Sequence, residues 1–158
     1  MKYSATFVLV VMCCLRLCAG DMQTTTSVKY LGDFSSLQEA NGHVSGYILQ
    51  LWKDGPKLVG LWSKADGQPA DFPTVLADDV KWDERTGDFS FTVQWCGSTS
   101  RFEGKLAGRI ISGRFRPMNS TASPLDLKLA RDNFEMPLTT REAWQSQIEQ
   151  ILKRRHPC

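Results

Sequence analysis

The sequence predicts an all-β domain with one C-terminal α-helix: an up-and-down antiparallel meander of seven or eight strands closing into a barrel. Three observations predict it. Apolar and polar residues alternate along several short segments, as in strands with one buried face. Turn-forming residues join successive segments and leave their apolar faces on the same side. After residue 139 the apolar spacing lengthens to i, i+4, i+7 and i+8, the period of a surface helix. A meander with one apolar face must cover it by closing on itself or by folding into a two-sheet sandwich, the alternative architecture.

The chain has 158 residues and divides into three parts. Residues 1–20, MKYSATFVLVVMCCLRLCAG, predict a cleaved secretory signal: basic Lys2, an apolar run from Phe7 to Leu15, and a small-residue exit at Ala19-Gly20. The run is far shorter than the roughly 20 residues a membrane-spanning helix needs, and no other segment supplies one. A lipoprotein signal acylated at Cys18 is the alternative reading. Residues 21–138 form the barrel domain and residues 139–158 the helix. Of the 19 Lys and Arg, Lys2 and Arg16 leave with the signal, so 17 remain against 17 Asp and Glu. A neutral mature chain without a basic, aromatic-studded stripe argues against nucleic-acid binding.

Along the barrel, SVKYLGDF (27–34) is the least regular strand. GYILQLWKDGPKLVGLWS (46–63) is a hairpin. Because Pro56 cannot donate the hydrogen bond of an Asp54-Gly55 turn, a four-residue loop Lys53–Pro56 is expected, pairing Leu51 with Leu58, Leu49 with Gly60 and Tyr47 with Trp62. Its other face, with Ile48, Trp52, Val59 and Leu61 beside Gln50 and Lys57, is only half polar, and something should cover it. Trp52 on that face is the best anchor for a macromolecular partner.

In DDVKWDERTGDFSFTVQWC (78–96), a Glu84–Gly87 loop sets Trp82 opposite Phe89 and Val80 opposite Phe91, with Asp78 inward. A GSTS loop (97–100) would then set Trp95 opposite Phe102 and Phe91 opposite Leu106, with Cys96 on the outer face. In SRFEGKLAGRIISGRF (100–115), Gly108-Arg109 suits a type II′ turn. It pairs Leu106 with Ile111, Gly104 with Gly113, Phe102 with Phe115, and Glu103 with Arg114 on the outside. PLDLKLARD (124–132) supplies the last strand. In the helix, Thr139 and Glu142 form a capping box, Trp144, Ile148, Ile151 and Leu152 share one face, and Lys153, Arg154 and Arg155 suit the C-terminal dipole.

The candidate site is the inner aromatic set: Tyr47, Trp62, Trp82, Phe89, Phe91, Trp95, Phe102 and Phe115. A barrel of about eight strands is just wide enough to be filled by side chains or to hold one small ligand. The aromatic lining and inward Gly60, Gly104 and Gly113 make a small apolar molecule the candidate guest, with a filled core as the alternative. No cofactor is implied. His43 and His156 sit beside no nucleophile, Asp78 and Asp79 are adjacent, and KADGQPAD (64–71) lacks a calcium loop's ligand spacing; the sequence points to no enzyme. Asn119-Ser120-Thr121 is a glycosylation sequon in a eukaryotic host.

The meander, the C-terminal helix and Gly60-Leu61-Trp62 resemble the lipocalin and calycin group of exported barrels. In lipocalins the Gly-x-Trp signature belongs to the first strand, whereas here it sits in the second strand of a hairpin, so no residue roles transfer. The resemblance implies a barrel that binds or carries a small apolar molecule. The two cysteines left after the signal, Cys96 and Cys158, are most simply one disulfide in an exported chain.

Overall fold

The computed structural model describes residues 28–67, 72–132 and 141–154. The signal segment, Cys158, His156, Thr139 and Asp71 lie outside them. Among the described residues nine strands run in order: β1 (Val28–Ser35), β2 (Gln38–Ala40), β3 (His43–Asp54), β4 (Lys57–Gly67), β5 (Thr74–Trp82), β6 (Asp88–Trp95), β7 (Ser98–Ala107), β8 (Ile110–Pro117) and β9 (Leu125–Arg131). Helix α1 (Arg141–Arg154) follows.

Each strand from β3 to β9 pairs antiparallel with the next, and β1 pairs with both β9 and β3. The result is a closed eight-stranded barrel, with β2 as an extra strand on β3. Closure removes both sheet edges and decides against the sandwich. The lower end carries the turns Gly55-Pro56, Asp83–Gly87 and Gly108-Arg109; the upper end carries Cys96-Gly97 and the connection 118–124.

The β7–β8 register is the predicted one: Leu106 opposite Ile111, Gly104 opposite Gly113, Phe102 opposite Phe115. Gly108 has φ 59° and Arg109 does not, as a type II′ turn requires. Three other expectations are corrected. The β3–β4 turn is Gly55-Pro56, so Leu51 faces Gly60, Leu49 faces Trp62, and Tyr47 faces Lys64. Glycine takes φ 58°, and proline follows it where no ladder hydrogen bond is asked of its nitrogen. The β6–β7 turn is Cys96-Gly97, with Trp95 opposite Ser98 and Phe91 opposite Phe102. Cys96 there adopts φ 47° and Gly97 φ 78°, a type I′ pattern that fits strand twist, which places Cys96 exposed in the turn instead of on the outer wall. Finally, β5 carries a bulge between Asp78 and Lys81. Trp82 does face Phe89, but Asp79 at φ 50° absorbs one extra residue, so Val80 has no Phe91 partner and Asp78 is exposed.

Every shift moved pairing by an even count except at the bulge, so the apolar faces kept their sides. The interior is built on Leu49, Leu51, Trp62, Phe89, Phe91, Phe102, Leu106, Ile111 and Leu129, most of them fully buried. Leu127 joins them, while Leu125 at the upper end of β9 is exposed. A bulge at Leu31 in β1 lets Tyr30 pack outside and Leu31 inside.

A second, smaller cluster sits on the outer wall. Trp144 and Ile148 of α1, with Leu152, lie on Val28, Tyr30, Trp52, Val59 and Leu61. This is the half-apolar face the sequence left uncovered, and Trp52 is fully buried beneath the helix, 6.1 Å from Trp144 between ring centroids. The predicted partner anchor at Trp52 is therefore corrected: the tryptophan points outward, but this chain's own helix takes it.

Candidate functional site

The inner aromatics form one continuous ladder of rings. Phe89 meets Phe102 at 6.1 Å and Phe91 at 5.8 Å, and Phe91 stacks on Phe102 at 5.1 Å. Phe91 then meets Trp62 at 5.3 Å, Trp62 stacks on Phe115 at 5.1 Å, and Tyr47 stacks on Trp62 at 5.1 Å. All are offset or tilted contacts within the favourable range for aromatic pairs. Six of the eight predicted inner aromatics, Tyr47, Trp62, Phe89, Phe91, Phe102 and Phe115, are thus brought together. The other two lie apart from the ladder: Trp82 packs on the core near the lower turns and Trp95 beside the upper Cys96-Gly97 turn.

The ladder fills the middle of the barrel. The facing glycines leave no gap there, since a Cβ on Gly104 would lie 2.9 Å from the Phe102 ring. Gly60 is equally tight, its absent Cβ falling 3.0 Å from Ala77 and 3.3 Å from Leu49.

Burial changes toward the upper end. Phe91 and Phe102 are fully buried and Trp62 nearly so, whereas Tyr47, Val75, Trp95 and Phe115 are half-buried. Leu125, opposite Phe115 in register, is 42% exposed. These half-buried side chains form the upper, more open end of the aromatic interior. Its polar border is the upper part of the β3–β4 hairpin, where Lys64 faces Tyr47 across the strands and its ammonium contacts Asp66 at 3.0 Å. Leu125, Val75 and Lys64 were not expected at this rim, because the depth at which each strand ends is not encoded in alternation.

Under α1, Tyr30 Oη, Trp52 Nε1 and Trp144 Nε1 are buried without a hydrogen-bond partner among the described residues, as is Trp82 Nε1 near the lower end. Burial first, and then the neighbouring Asp33 carboxylate, raises the Tyr30 phenol far above its ordinary value, so it stays neutral. Asp33 is itself held by Gln50 Nε2, which donates to it at 2.9 Å. His43 is exposed at the start of β3, and Asp66 is engaged by Lys64. Among the described residues no group of three His, Cys, Asp or Glu side chains is placed to hold a metal, and no helix is long and apolar enough to cross a membrane. Asn119 is exposed in the connection at the upper end.

No family model matches the chain, and no curated protein or solved structure shows significant similarity to it.

Proposed function

We propose that this chain is an exported β-barrel that binds a small apolar, ring-bearing molecule in the aromatic bowl at its upper end. The observation that carries the reading is the stack of Tyr47 on Trp62 on Phe115, whose outer members are half-buried while the rings beneath them are sealed. A flat guest laid there extends the ladder by one ring, with centroid spacings of the kind the ladder already uses. Lys64 at the rim offers a polar handle that orients it. Export rests on Lys2, the Phe7–Leu15 run and Ala19-Gly20. The pair Cys96–Cys158 belongs to the same proposal, since an oxidising compartment lets it close.

The test uses mature protein and the neutral fluorescent probe N-phenyl-1-naphthylamine. Saturable one-to-one binding that weakens at least tenfold in Tyr47→Ser, and is unchanged by Lys29→Gln, exposed at the lower end of β1, is the expected result. Absence of saturable binding, or equal affinity in Tyr47→Ser with its fold intact by circular dichroism, contradicts it.

A further inference from the structure

We infer that the lower wall between β4 and β5 is a strand slot, and that its occupant is this chain's own residues 21–23, the start of the mature protein. The inference takes a terminus at Asp21 from the export reading and owes nothing to the upper mouth. The β4–β5 ladder runs only from Ser63 opposite Thr74 to Gly60 opposite Ala77, yet β4 continues down to Lys57 and β5 down to Trp82. Residues 57–59 pair with β3 alone, and below Ala77 β5 pairs with β6 alone. The bulge at Asp79, with φ 50°, bends β5 there. The opening is a depression of about 500 Å³, lined by residues 56–58 on one side and 79–82 on the other.

Two strand edges facing each other call for an extended backbone, which offers N–H and C=O groups at ladder spacing. The floor of the slot is apolar. Leu58 shares a face with inward Gly60, and half-buried Val80 and Trp82 pack on the interior cluster. Trp82 Nε1 is buried without a hydrogen-bond partner among the described residues, and a carbonyl laid in the slot gives it one. Because both edges lie within the barrel wall, a strand already built into a second barrel cannot enter between them, whereas a free chain end can.

The chain end that is near enough is residues 21–27, DMQTTTS, which lead into Val28. Val28 stands opposite Asp54, and Asp54 opposite Lys57, so the start of β1 and the foot of the slot are on one level. A segment that descends the slot and then joins rising β1 runs antiparallel to β4. Gln23 opposite Lys57 sets Met22 opposite Leu58 and Asp21 opposite Val59. Opposite residues share a face, so Met22 points toward Val80 and Trp82, where a flexible thioether suits an irregular gap. The five residue steps from Gln23 to Val28 reach about 17 Å, against about 14 Å for three strand spacings. The α-ammonium of Asp21 falls level with the exposed carboxylates of Asp78 and Asp79, an attraction of opposite charges. Directly above, Gly60 and Ala77 close the ladder and leave the wall no room for chain preceding Asp21. Removal of the leader thus completes the occupant.

The test is amide hydrogen exchange followed by NMR. The chain beginning at Asp21 is compared with one beginning at Ser27 and with the Met22→Asp and Met22→Leu variants. All four are released from a cleavable fusion, so the outcome does not depend on whether a cell cuts the leader at that bond. Slot-facing amides within residues 57–59 should exchange at least tenfold faster in the Ser27 chain and in Met22→Asp, and at the parent rate in Met22→Leu. The protection should be the same at every protein concentration, and amides of Phe102 and Phe115 should report an unchanged fold. Equal exchange in the chains beginning at Asp21 and Ser27, or parent-like protection in Met22→Asp, overturns the proposal. So does protection that fades on dilution, which would put a second copy's tail in the slot. Binding of N-phenyl-1-naphthylamine, read on the same samples, bears on the upper mouth alone and keeps the two proposals separate.

Discussion

Gly104 and Gly113 face each other across the β7–β8 ladder so closely that a Cβ on Gly104 would fall 2.2 Å from the Ser112 carbonyl oxygen and 2.7 Å from the Gly113 Cα. Neither contact is with a movable side-chain tip. The pair is thus a device for close backbone approach where the barrel wall bends, with Phe102 laid over the space, in the manner of glycines at barrel corners.

Gly104→Ala should destabilise the barrel by about 3 kcal/mol or more, beyond the usual cost of an added methylene because the backbone itself must move. Urea unfolding checks it: the midpoint falls while the slope is kept. Gly42→Ala is the comparison, since a Cβ there meets nothing within 4 Å, and only its positive φ opposes the change.

The helix contact offers a pair of opposite predictions. Trp144→Ala removes a side chain only 6% exposed from the outer cluster and should cost about 3–5 kcal/mol, exposing Trp52 to a red shift in fluorescence. Tyr30→Phe keeps the ring against Trp52, at 5.4 Å between centroids, but removes an unpartnered hydroxyl. It should stabilise by about 1 kcal/mol, the lower end of the burial penalty of such a group. Both are read from thermal or urea melts.

Tyr30 also sets an alkaline limit. Its phenol is raised in the folded state, so the folded chain holds the proton above the ordinary tyrosine value of about 10 while the unfolded chain releases it. Its contribution is complete below about pH 10 and declines as pH rises beyond it. The stability curve of Tyr30→Phe should fall less steeply than that of the parent above pH 10.

Asp88 works at the other extreme. Hydrogen bonding from Lys105, at 2.8 Å, and then from Thr86 lowers its carboxyl below the ordinary value. The unfolded chain binds that proton more readily, so the stabilisation is present above about pH 4 and is lost as pH falls through the lowered value. Asp88→Asn should flatten the stability curve below pH 4 and leave its shape at pH 7 unchanged, as followed by urea midpoints across pH.

The fold was legible wherever a residue type dictated its own turn. Gly108-Arg109 announced a type II′ turn, and the register from Phe102–Phe115 to Leu106–Ile111 followed. It was not legible where an ordinary residue takes a left-handed conformation. Nothing in the side chain of Cys96 or Asp79 forces φ 47° or 50°; the twist of the flanking strands and the closure of the barrel do. The partners of Phe91 and Val80 were misassigned for that reason, while their faces were right because most shifts were even. The candidate site was half legible in the same sense. Alternation selected Tyr47, Trp62, Phe91, Phe102 and Phe115 as one surface, but which rings are sealed and which stay half open depends on where along the barrel each strand ends.

Cys96 lies exposed in its upper turn, and its proposed pairing with Cys158 would close a loop of roughly 60 residues, worth about 4 kcal/mol in the chain-entropy description. Non-reducing peptide mapping should recover the two cysteines in one cross-linked fragment, and reduction should lower the thermal midpoint. Separate thiol-alkylated peptides from oxidised protein would contradict it.

On the proposal made here the barrel is solid through its middle and receptive at one mouth. Aromatic and methyl resonances followed during titration with N-phenyl-1-naphthylamine test it most directly. Shifts confined to Tyr47, Val75, Trp95, Phe115 and Leu125, with Phe89, Leu106 and Ile111 unmoved, are expected. Shifts centred on Phe89, Leu106 and Ile111, or none at the upper mouth, would contradict it.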